Sequence, residues 1–164
     1  MNLFALASQF RLIDVAATYE FGFPRYTFAL TGEAVRNIGY NLAQVEALTQ
    51  STIPSPQNRG YVAEASFGDP TVAQFGQWRA RVGYRYVQAD AVIDAWTDAD
   101  FHGGGTNAAG YYLWIDVGLA NNTWLRARYL SANEINANGI VEPGPTGLLR
   151  YGLDILQVDL NTRF

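Results

Sequence analysis

The 164-residue sequence contains no cysteine and no lysine, and it has a single histidine and a single methionine. Without cysteine the chain can form neither a disulfide framework nor a thiolate metal site. All eleven basic residues are arginine, and the net charge of −4 argues against nucleic acid as a partner. Charged residues make up only 16% of the sequence, below the ~25% of ordinary soluble domains.

The sequence also lacks an uninterrupted apolar run of the ~18 residues that mark a transmembrane helix. A strand of a membrane barrel gives no such run, because only every second residue must face lipid. A mean hydropathy of −0.06 is therefore compatible with full membrane insertion. Residues 1–9 lack the basic segment and the full-length apolar core of a signal peptide. For an exported protein, the missing signal indicates an N-terminally truncated chain or an incomplete gene model.

Aromatic residues are frequent, and the dominant pattern is an alternation of apolar and polar residues interrupted by Gly, Pro, Asn and Asp. This period of two predicts β-strands. A change of phase at Leu12 and Ile13 predicts a bulge in the first strand, and residues 42–48 are compatible with one or two helical turns. The seven predicted strands are approximately Ser8–Phe21, Tyr26–Val35, Arg59–Phe67, Gln77–Val87, Ala109–Leu119, Thr123–Ala132 and Gly152–Phe164.

The connections between these strands are alternately short and long. Outer-membrane barrels have this asymmetry, with short periplasmic turns and long extracellular loops, whereas a soluble sandwich has no reason to place every long loop at one end. Strands of about ten residues also have the length that a tilted strand needs to cross a bilayer. We therefore predict an all-β fold over residues 1–164, an antiparallel up-and-down transmembrane β-barrel with about seven or eight strands.

The odd number of predicted strands bears on whether the barrel is complete. Closed single-chain bacterial barrels usually have an even number of strands, with both ends in the periplasm. An open edge would be unstable in lipid, where unpaired backbone groups cost several kcal/mol each. We therefore expect the chain to be the C-terminal portion of a larger barrel, with further strands before Met1.

One face of the predicted strands carries charges of both signs, and the other carries Tyr, Trp, Leu, Val and Ala. Alternation alone does not distinguish a soluble barrel from a membrane barrel, in which the polar face points inward. The charged set is too large and too mixed in sign for a packed core, and it suits a water-filled lumen. The predicted pore-lining residues are Arg79, Arg81, Arg85, Arg126, Arg128, Glu64 and Asp116.

The arginines of this face predict a bias toward anions, because rings of charge act on permeating ions. Neighbouring carboxylates would offset part of the bias, and a solvated outer face balanced by Glu64 and Asp116 is the alternative interpretation. Aromatic residues near the strand ends are typical of the girdles at the two membrane interfaces; packing in a soluble sandwich is the alternative for them. They are Tyr26, Tyr61, Phe67, Trp78, Tyr84, Tyr86, Tyr111, Tyr129 and Phe164.

The sequence contains no recognisable catalytic constellation, so we expect neither enzymatic activity nor a cofactor. The only histidine, His102, follows Asp98 and Asp100 in a polar loop. These groups could bind a divalent cation, but a lone histidine in an exposed acidic loop is more often simply solvated, and we predict no metal site. The glycines at 103–105 precede no helix and therefore form no phosphate-binding cradle.

The last predicted strand carries the most specific signal. Leu156, Val158, Leu160 and Phe164 alternate with polar residues up to the end of the sequence. A terminal Phe preceded by apolar residues at every second position is similar to the C-terminal signature by which outer-membrane barrels are recognised for assembly. Thr162 departs from that signature, in which a larger apolar or aromatic residue is usual.

Most of the sequence, and most strongly the part after residue 76, resembles the C-terminal region of the putative porin family of proteobacteria. The resemblance is carried by DAVIDAWTDADFH at 90–102, GTN at 105–107, TWLRARYLSANEI at 123–135 and LDILQVDLNTRF at 153–164. It implies a general-diffusion or substrate-selective channel, with a homotrimer as the expected assembly. It supplies no functional residues at matched positions, so the pore-lining set remains an inference from the residues themselves.

The preferred interpretation is therefore an outer-membrane porin of a Gram-negative bacterium that passes ions and small hydrophilic solutes. Its expected partners are the lipid bilayer of the outer membrane, the barrel assembly machinery, the solutes themselves and further copies of the chain. A first alternative is a small non-conducting anchor or adhesin barrel, with residues 2–9 as an eighth strand and a lumen plugged by arginine–carboxylate pairs. A second is a soluble ligand-binding barrel with its aromatic face inward.

Overall fold

Seven antiparallel strands in sequence order form one sheet in the computed structural model, which describes residues 8–50, 52–53, 55–136 and 151–163. Within these residues the first and last strands do not pair, so the sheet is open, as expected for part of a barrel. The predicted all-β up-and-down fold is confirmed. The strands are β1 (Leu12–Gly22), β2 (Thr27–Asn37), β3 (Arg59–Gly68), β4 (Trp78–Val87), β5 (Ala108–Ala120), β6 (Thr123–Glu134) and β7 (Gly152–Thr162).

The predicted bulge near Leu12 is wrong. Pairing between β1 and β2 runs without interruption from Leu12 opposite Asn37 to Gly22 opposite Thr27. The alternation changes phase there because β1 begins at Leu12, so that Phe10 lies before the strand. A register shift occurs instead between Gly118 and Ala120, where β5 approaches its turn into β6.

Local chemistry explains the elements at the strand ends. In the long loop after β2, the helix α1 (Leu42–Thr49) begins where the Asn41 side chain accepts a 3.2 Å hydrogen bond from the Gln44 amide. The predicted helical segment is thus confirmed. At the tight β5–β6 turn Asn122 has φ 53°, a conformation that Asn tolerates better than most residues. Its amide donates to the carbonyl of Ala73 at 2.7 Å, which joins this turn to the β3–β4 connection.

The two faces of the sheet differ sharply in charge. We call the face that carries Arg79, Arg81 and Arg85 the polar face, and the opposite one the apolar face. On the apolar face the only charged strand residues are Arg36, Arg59 and Asp154, all near the long-loop end of the sheet. The polar face carries every other charged strand residue: Asp14, Glu20, Glu33, Glu64, Arg79, Arg81, Arg85, Asp116, Arg126, Arg128, Glu134 and Asp159.

Aromatic side chains border the apolar face at both ends of the strands. Near the short turns, the rings of Tyr26, Phe67 and Trp78 contact one another at centroid distances of 5.5 to 5.8 Å. Near the long loops, the rings of Tyr61 and Tyr86 stack at 5.0 Å. Between the two bands lie exposed aliphatic residues such as Leu30, Val82, Leu113 and Ile115.

The tyrosines of the second band indicate how the strands tilt. Tyr61 and Tyr86 are register partners, Tyr84 and Tyr111 are partners two residues nearer the turns, and Tyr129 lies two residues further again. From β3 to β6 the band thus shifts by four residues over three strand spacings, or about 13 Å along the strands for about 14 Å across them. For this band to lie parallel to the membrane plane, the strands must tilt by roughly 43° from the membrane normal, which is within the range of membrane barrels.

Across the residues that the structure describes, no helix has the length and apolar character needed to cross a membrane.

Candidate functional site

Strand register sets opposite charges side by side on the polar face. Arg79, Asp116, Arg126 and Asp159 are successive register partners on β4, β5, β6 and β7, so their charges alternate along one row. Opposite charges directly across neighbouring strands stabilise a sheet. This row lies near the short-turn end, where the polar face is not covered by the loop that follows β4.

The strongest pair of this row joins Arg126 to Asp116. Arg126 Nε lies 2.6 Å from Oδ1 of Asp116, and its Nη2 lies 2.9 Å from Oδ2. This bidentate geometry is the strongest that a guanidinium and a carboxylate can make. The Asp116 side chain is 7% exposed, so its charge depends on this partner. Arg79, the other neighbour of Asp116 in register, instead donates to Ser66 Oγ at 3.1 Å and to the carbonyl of Pro70 at 3.2 Å.

Trp114, in the next row, lies between Arg81 of its own row and Arg126 of the first row. The guanidinium of Arg81 lies 4.9 Å from the centre of the indole ring, and that of Arg126 lies 5.3 Å from it. Both distances are within cation–π range. Arg81 also lies 3.6 Å from Oε1 of Glu64 on β3. An aromatic ring on the polar face therefore holds two like-charged side chains apart while stabilising both.

Glu64 is also bound by Tyr112. The phenol of Tyr112 on β5 donates a 2.9 Å hydrogen bond to Oε2 of Glu64, passing over Gly83 on the intervening strand. An added Cβ at Gly83 would lie 2.3 Å from Cζ of Tyr112, so only glycine leaves room for the ring. Glu64 thus bridges two side chains of β4 and β5.

The loop between β4 and β5, residues 88–107, packs onto the long-loop half of the polar face. Asp98 Oδ2 lies 3.8 Å from Arg85, and Asp100 Oδ2 lies 2.7 Å from Arg128. Phe101, only 3% exposed, inserts between these pairs, with the guanidinium of Arg85 5.0 Å from its ring centre. The buried cluster beneath the loop consists of Phe101, Ala108, Tyr112, Leu130 and Ala132.

The loop is internally braced. The Asp94 carboxylate accepts from both the amide and the hydroxyl of Thr106, at 3.0 and 2.6 Å. The Thr97 hydroxyl accepts from the Gly105 amide at 2.9 Å. The three glycines at 103–105 have φ between 75° and 88°, which closes the loop tightly. The glycine run therefore forms a tight, hydrogen-bonded turn.

A cavity of about 160 Å³ lies between this loop and the strands beneath it. Its lining includes Glu33, Arg85, Trp96, Asp98 and Phe101. It thus combines charges of both signs with the aromatic rings of Tyr61, Trp96 and Phe101. Although the residues of the loop were predicted to be a polar connection, its docking onto the polar face was not predicted.

All seven predicted pore-lining residues lie on the polar face, and the structure brings them together with partners. Four of the five arginines contact a carboxylate within 4 Å: Arg81 with Glu64, Arg85 with Asp98, Arg126 with Asp116, and Arg128 with Asp100. Sequence reasoning missed Asp98, Asp100, Tyr112 and Trp114. A signal for the last two existed, because aromatic residues at 112 and 114 interrupt the alternation set by the outward-facing residues of β5.

The predicted assembly residues of β7 lie on the apolar face. Leu156, Val158 and Leu160 are 72%, 61% and 70% exposed, respectively, on the last strand of the sheet. Phe164 lies outside the described residues. β7 therefore presents an exposed apolar face, as expected of a strand that contacts lipid.

His102 joins the loop to the beginning of β7. Its Nε2 lies 3.1 Å from the carbonyl oxygen of Tyr151, and the two rings meet edge to face at 5.1 Å. In the parts of the chain that the structure describes, no three His, Asp or Glu side chains are grouped so that they could hold a metal ion.

An up-and-down sheet with one charged face, one apolar face and two aromatic borders has the architecture of a membrane β-barrel. The chain belongs to the putative porin family, whose model, described as "Putative porin", matches residues 1–164. This membership and the β-rich fold point to a porin-like protein of the outer membrane. No curated protein and no solved structure matches the chain at a significant level.

Proposed function

We propose that the protein is an outer-membrane channel, not an enzyme, that conducts ions and small hydrophilic solutes along the polar face. The observation that carries the proposal is the segregation of charge. Apart from Arg36, Arg59 and Asp154, every charged strand residue lies on one face, whereas the other presents aliphatic residues between aromatic bands. A soluble protein would expose the charged face and bury the aliphatic one, and in the described sheet no second layer covers the aliphatic residues.

The docked loop at 88–107 supports a constricted passage rather than a wide one. It covers the long-loop half of the polar face through Arg85–Asp98 and Arg128–Asp100. Solutes would then pass between the loop and the remaining wall, within contact distance of the charged row near the short turns. A solute would first be selected by size at the loop 88–107 and then by charge at the row formed by Arg79, Asp116, Arg126 and Asp159.

The proposed selectivity is weaker than the number of arginines implies. Each ion pair has nearly zero net charge at distances beyond a few ångströms, and four of the five arginines are paired. Arg79 has neutral hydrogen-bond partners and contributes a full positive charge. We therefore propose a local preference for anions at Arg79, on a polar face whose seven strand carboxylates outnumber its five arginines.

Conductance of the full-length protein in planar bilayers tests this proposal. We expect discrete channels, and their reversal potential in a salt gradient measures the preference for anions over cations. Arg79→Gln should lower that preference more than Arg81→Gln, because Arg81 is neutralised by Glu64. Arg25→Gln, in the exposed β1–β2 turn, is the matched control and should leave selectivity unchanged. Absence of channels from correctly inserted protein would contradict the channel proposal.

A non-conducting anchor is the second candidate, and the extent of ion pairing favours it. A small barrel whose lumen is filled by arginine–carboxylate pairs and a docked loop would insert but pass no current. Inserted protein without conductance, which then gains conductance after truncation of the loop, would support this candidate. Protein that stays in solution without detergent would contradict both membrane proposals.

Assembly and oligomeric state are also proposals. The exposed Leu156, Val158 and Leu160 on β7, with Phe164, are proposed to be recognised by the barrel assembly machinery. Removal of Phe164 should reduce the amount of protein recovered folded from the outer membrane, with total synthesis as the control. The homotrimer is proposed from family membership and is tested by the mass of the folded protein in detergent.

A further inference from the structure

Two arginines face each other on the apolar side of the sheet, where charge is otherwise almost absent. Arg36 on β2 and Arg59 on β3 are direct register partners and both are exposed. The next pair is hydrogen-bonded, since the Asn37 amide donates to the carbonyl of Asn58 at 2.9 Å. Arg36 and Arg59 therefore occupy a non-hydrogen-bonded position, in which side chains approach most closely.

The residues around this pair do not neutralise it. In register, Arg36 lies beside Ile13 on the β1 side. On the β4 side Gln88 accepts from the Arg59 amide through its side chain at 2.9 Å. Towards the membrane the next residues on the same face are Ala34 and Tyr61. Among the described residues neither arginine has a carboxylate within ion-pair distance, although like charges directly opposite destabilise a sheet.

The pair lies immediately beyond the tyrosine band. Tyr61 is two residues from Arg59 on the same strand and face, and its ring stacks on Tyr86 at 5.0 Å. Tyrosine bands mark the level of lipid headgroups. The guanidinium groups are therefore placed at headgroup depth, where the phosphates of membrane lipids lie.

A shallow apolar groove lies on the same face, nearer the middle of the sheet than the arginines. Its floor consists of the small residues Gly32, Ala63 and Ala65, and its open volume is about 560 Å³. Leu30 and Tyr84 form part of its sides. Gly32 lies four residues from Arg36, or about 13 Å along the strand. This distance lies within one leaflet of a bilayer whose hydrocarbon core is about 30 Å thick.

We infer that Arg36 and Arg59 bind the phosphate of a phosphorylated membrane lipid, whose acyl chain occupies the groove over Gly32, Ala63 and Ala65. Arginine suits this role because its planar group bonds phosphate oxygens in pairs. The bound phosphate would also offset the repulsion between the two guanidinium groups. The inference rests on the proposed membrane insertion, but it does not depend on whether the barrel conducts.

The test uses the full-length protein folded into phosphatidylcholine vesicles with or without a minor fraction of phosphatidic acid. Native mass spectrometry after mild detergent extraction measures the lipid that remains bound. We expect phosphatidic acid to be retained in preference to phosphatidylcholine, and Arg36→Gln with Arg59→Gln to reduce this retention on the order of tenfold. Arg25→Gln at the opposite end of the sheet is the matched control and should retain the lipid.

Further variants separate the contribution of the arginine charge from that of the paired hydrogen bonds and from that of the groove. Replacing both arginines by Lys keeps the charge but loses the paired bonds and should give intermediate retention, which also guards against a folding defect. Ala63→Leu fills the groove and should lower lipid retention. Equal retention by the double Gln variant would overturn the inference, as would competition by inorganic phosphate as effective as that by the lipid. Conductance measured on the same variants tests the channel proposal separately, because these arginines lie outside the proposed passage.

Discussion

The phenol of Tyr112 reaches across Gly83 to donate a 2.9 Å hydrogen bond to Glu64. Three strands, β3, β4 and β5, are thereby joined through one side chain, in addition to their backbone hydrogen bonds. The hydroxyl of Tyr112 holds Glu64 beside Arg81, so one side chain sets both the packing under the loop at 88–107 and part of the charge on the polar face.

Gly83→Ala should destabilise the folded sheet by about 1–3 kcal/mol, because the added methyl group displaces the Tyr112 ring and breaks its bond to Glu64. Urea unfolding in lipid vesicles, followed by tryptophan fluorescence, measures this change. Gly32→Ala is the matched control, since a Cβ at Gly32 meets nothing within 4 Å. In a Tyr112→Phe background the Gly83→Ala effect should shrink; full additivity would contradict the proposed bridge.

Asp98→Asn combined with Asp100→Asn should weaken the docking of the loop. Arg85 and Arg128 would lose their carboxylate partners, so both their positive charge and the mobility of the loop should increase. We expect a larger single-channel conductance and a shift of the reversal potential in the direction of anion permeation, measured in planar bilayers. Asp154→Asn on the apolar face is the control. A conductance and reversal potential equal to those of the parent protein would show that the loop does not control the passage.

Asn122→Ala should destabilise the β5–β6 turn by about 1 kcal/mol, since alanine disfavours the left-handed conformation found at φ 53°. Asn122→Gly should be neutral or slightly stabilising, because glycine adopts this conformation without steric cost. Unfolding free energies of the two variants in vesicles give the comparison. If both variants lose stability equally, the Asn122 side chain has a role other than its backbone conformation.

Val82→Arg places a charge midway between the aromatic bands of the apolar face, where Val82 is 51% exposed. In a bilayer this should cost about 2–4 kcal/mol. Thr31→Arg, on the polar face opposite Glu64, is the matched control and should cost much less. Folding yield and unfolding free energy in vesicles measure both. Equal costs for the two variants would contradict the lipid-facing position of Val82.

The pKa of Asp90, in the loop after β4, is raised by burial and, to a smaller degree, by the charge of Asp94. Because the folded-state pKa lies above the unfolded value, ionisation of Asp90 opposes folding at neutral pH. This cost disappears as the pH falls through the folded-state pKa. Asp90→Asn should therefore slow amide exchange in the loop at neutral pH and have little effect in acid. Its backbone bonds to Gln57 and Asn37 are retained, so faster exchange would contradict this account.

Alternation predicted the strands and their faces because a period of two is a local property of the backbone. Residues such as Arg79 and Arg81 could therefore be assigned to the same face without knowledge of their neighbours. The tight turn at Asn121 and Asn122 also follows from a local property, since it depends on the backbone conformation that Asn tolerates. The start of β1 was less predictable, because Phe10 is apolar but lies before the first paired residue, Leu12.

Pairing across strands was decided by register, which no single segment specifies. Only the tertiary structure sets Asp116 between Arg79 and Arg126, places the Tyr112 ring over Gly83, and places Arg36 opposite Arg59. The docking of the loop at 88–107 is likewise a long-range event, driven by burial of Phe101 and by carboxylates that meet arginines on other strands. The sequence by itself determined which residues share a face, because alternation is local. The tertiary structure decided which charges are neutralised, because neutralisation depends on neighbours that are distant in sequence.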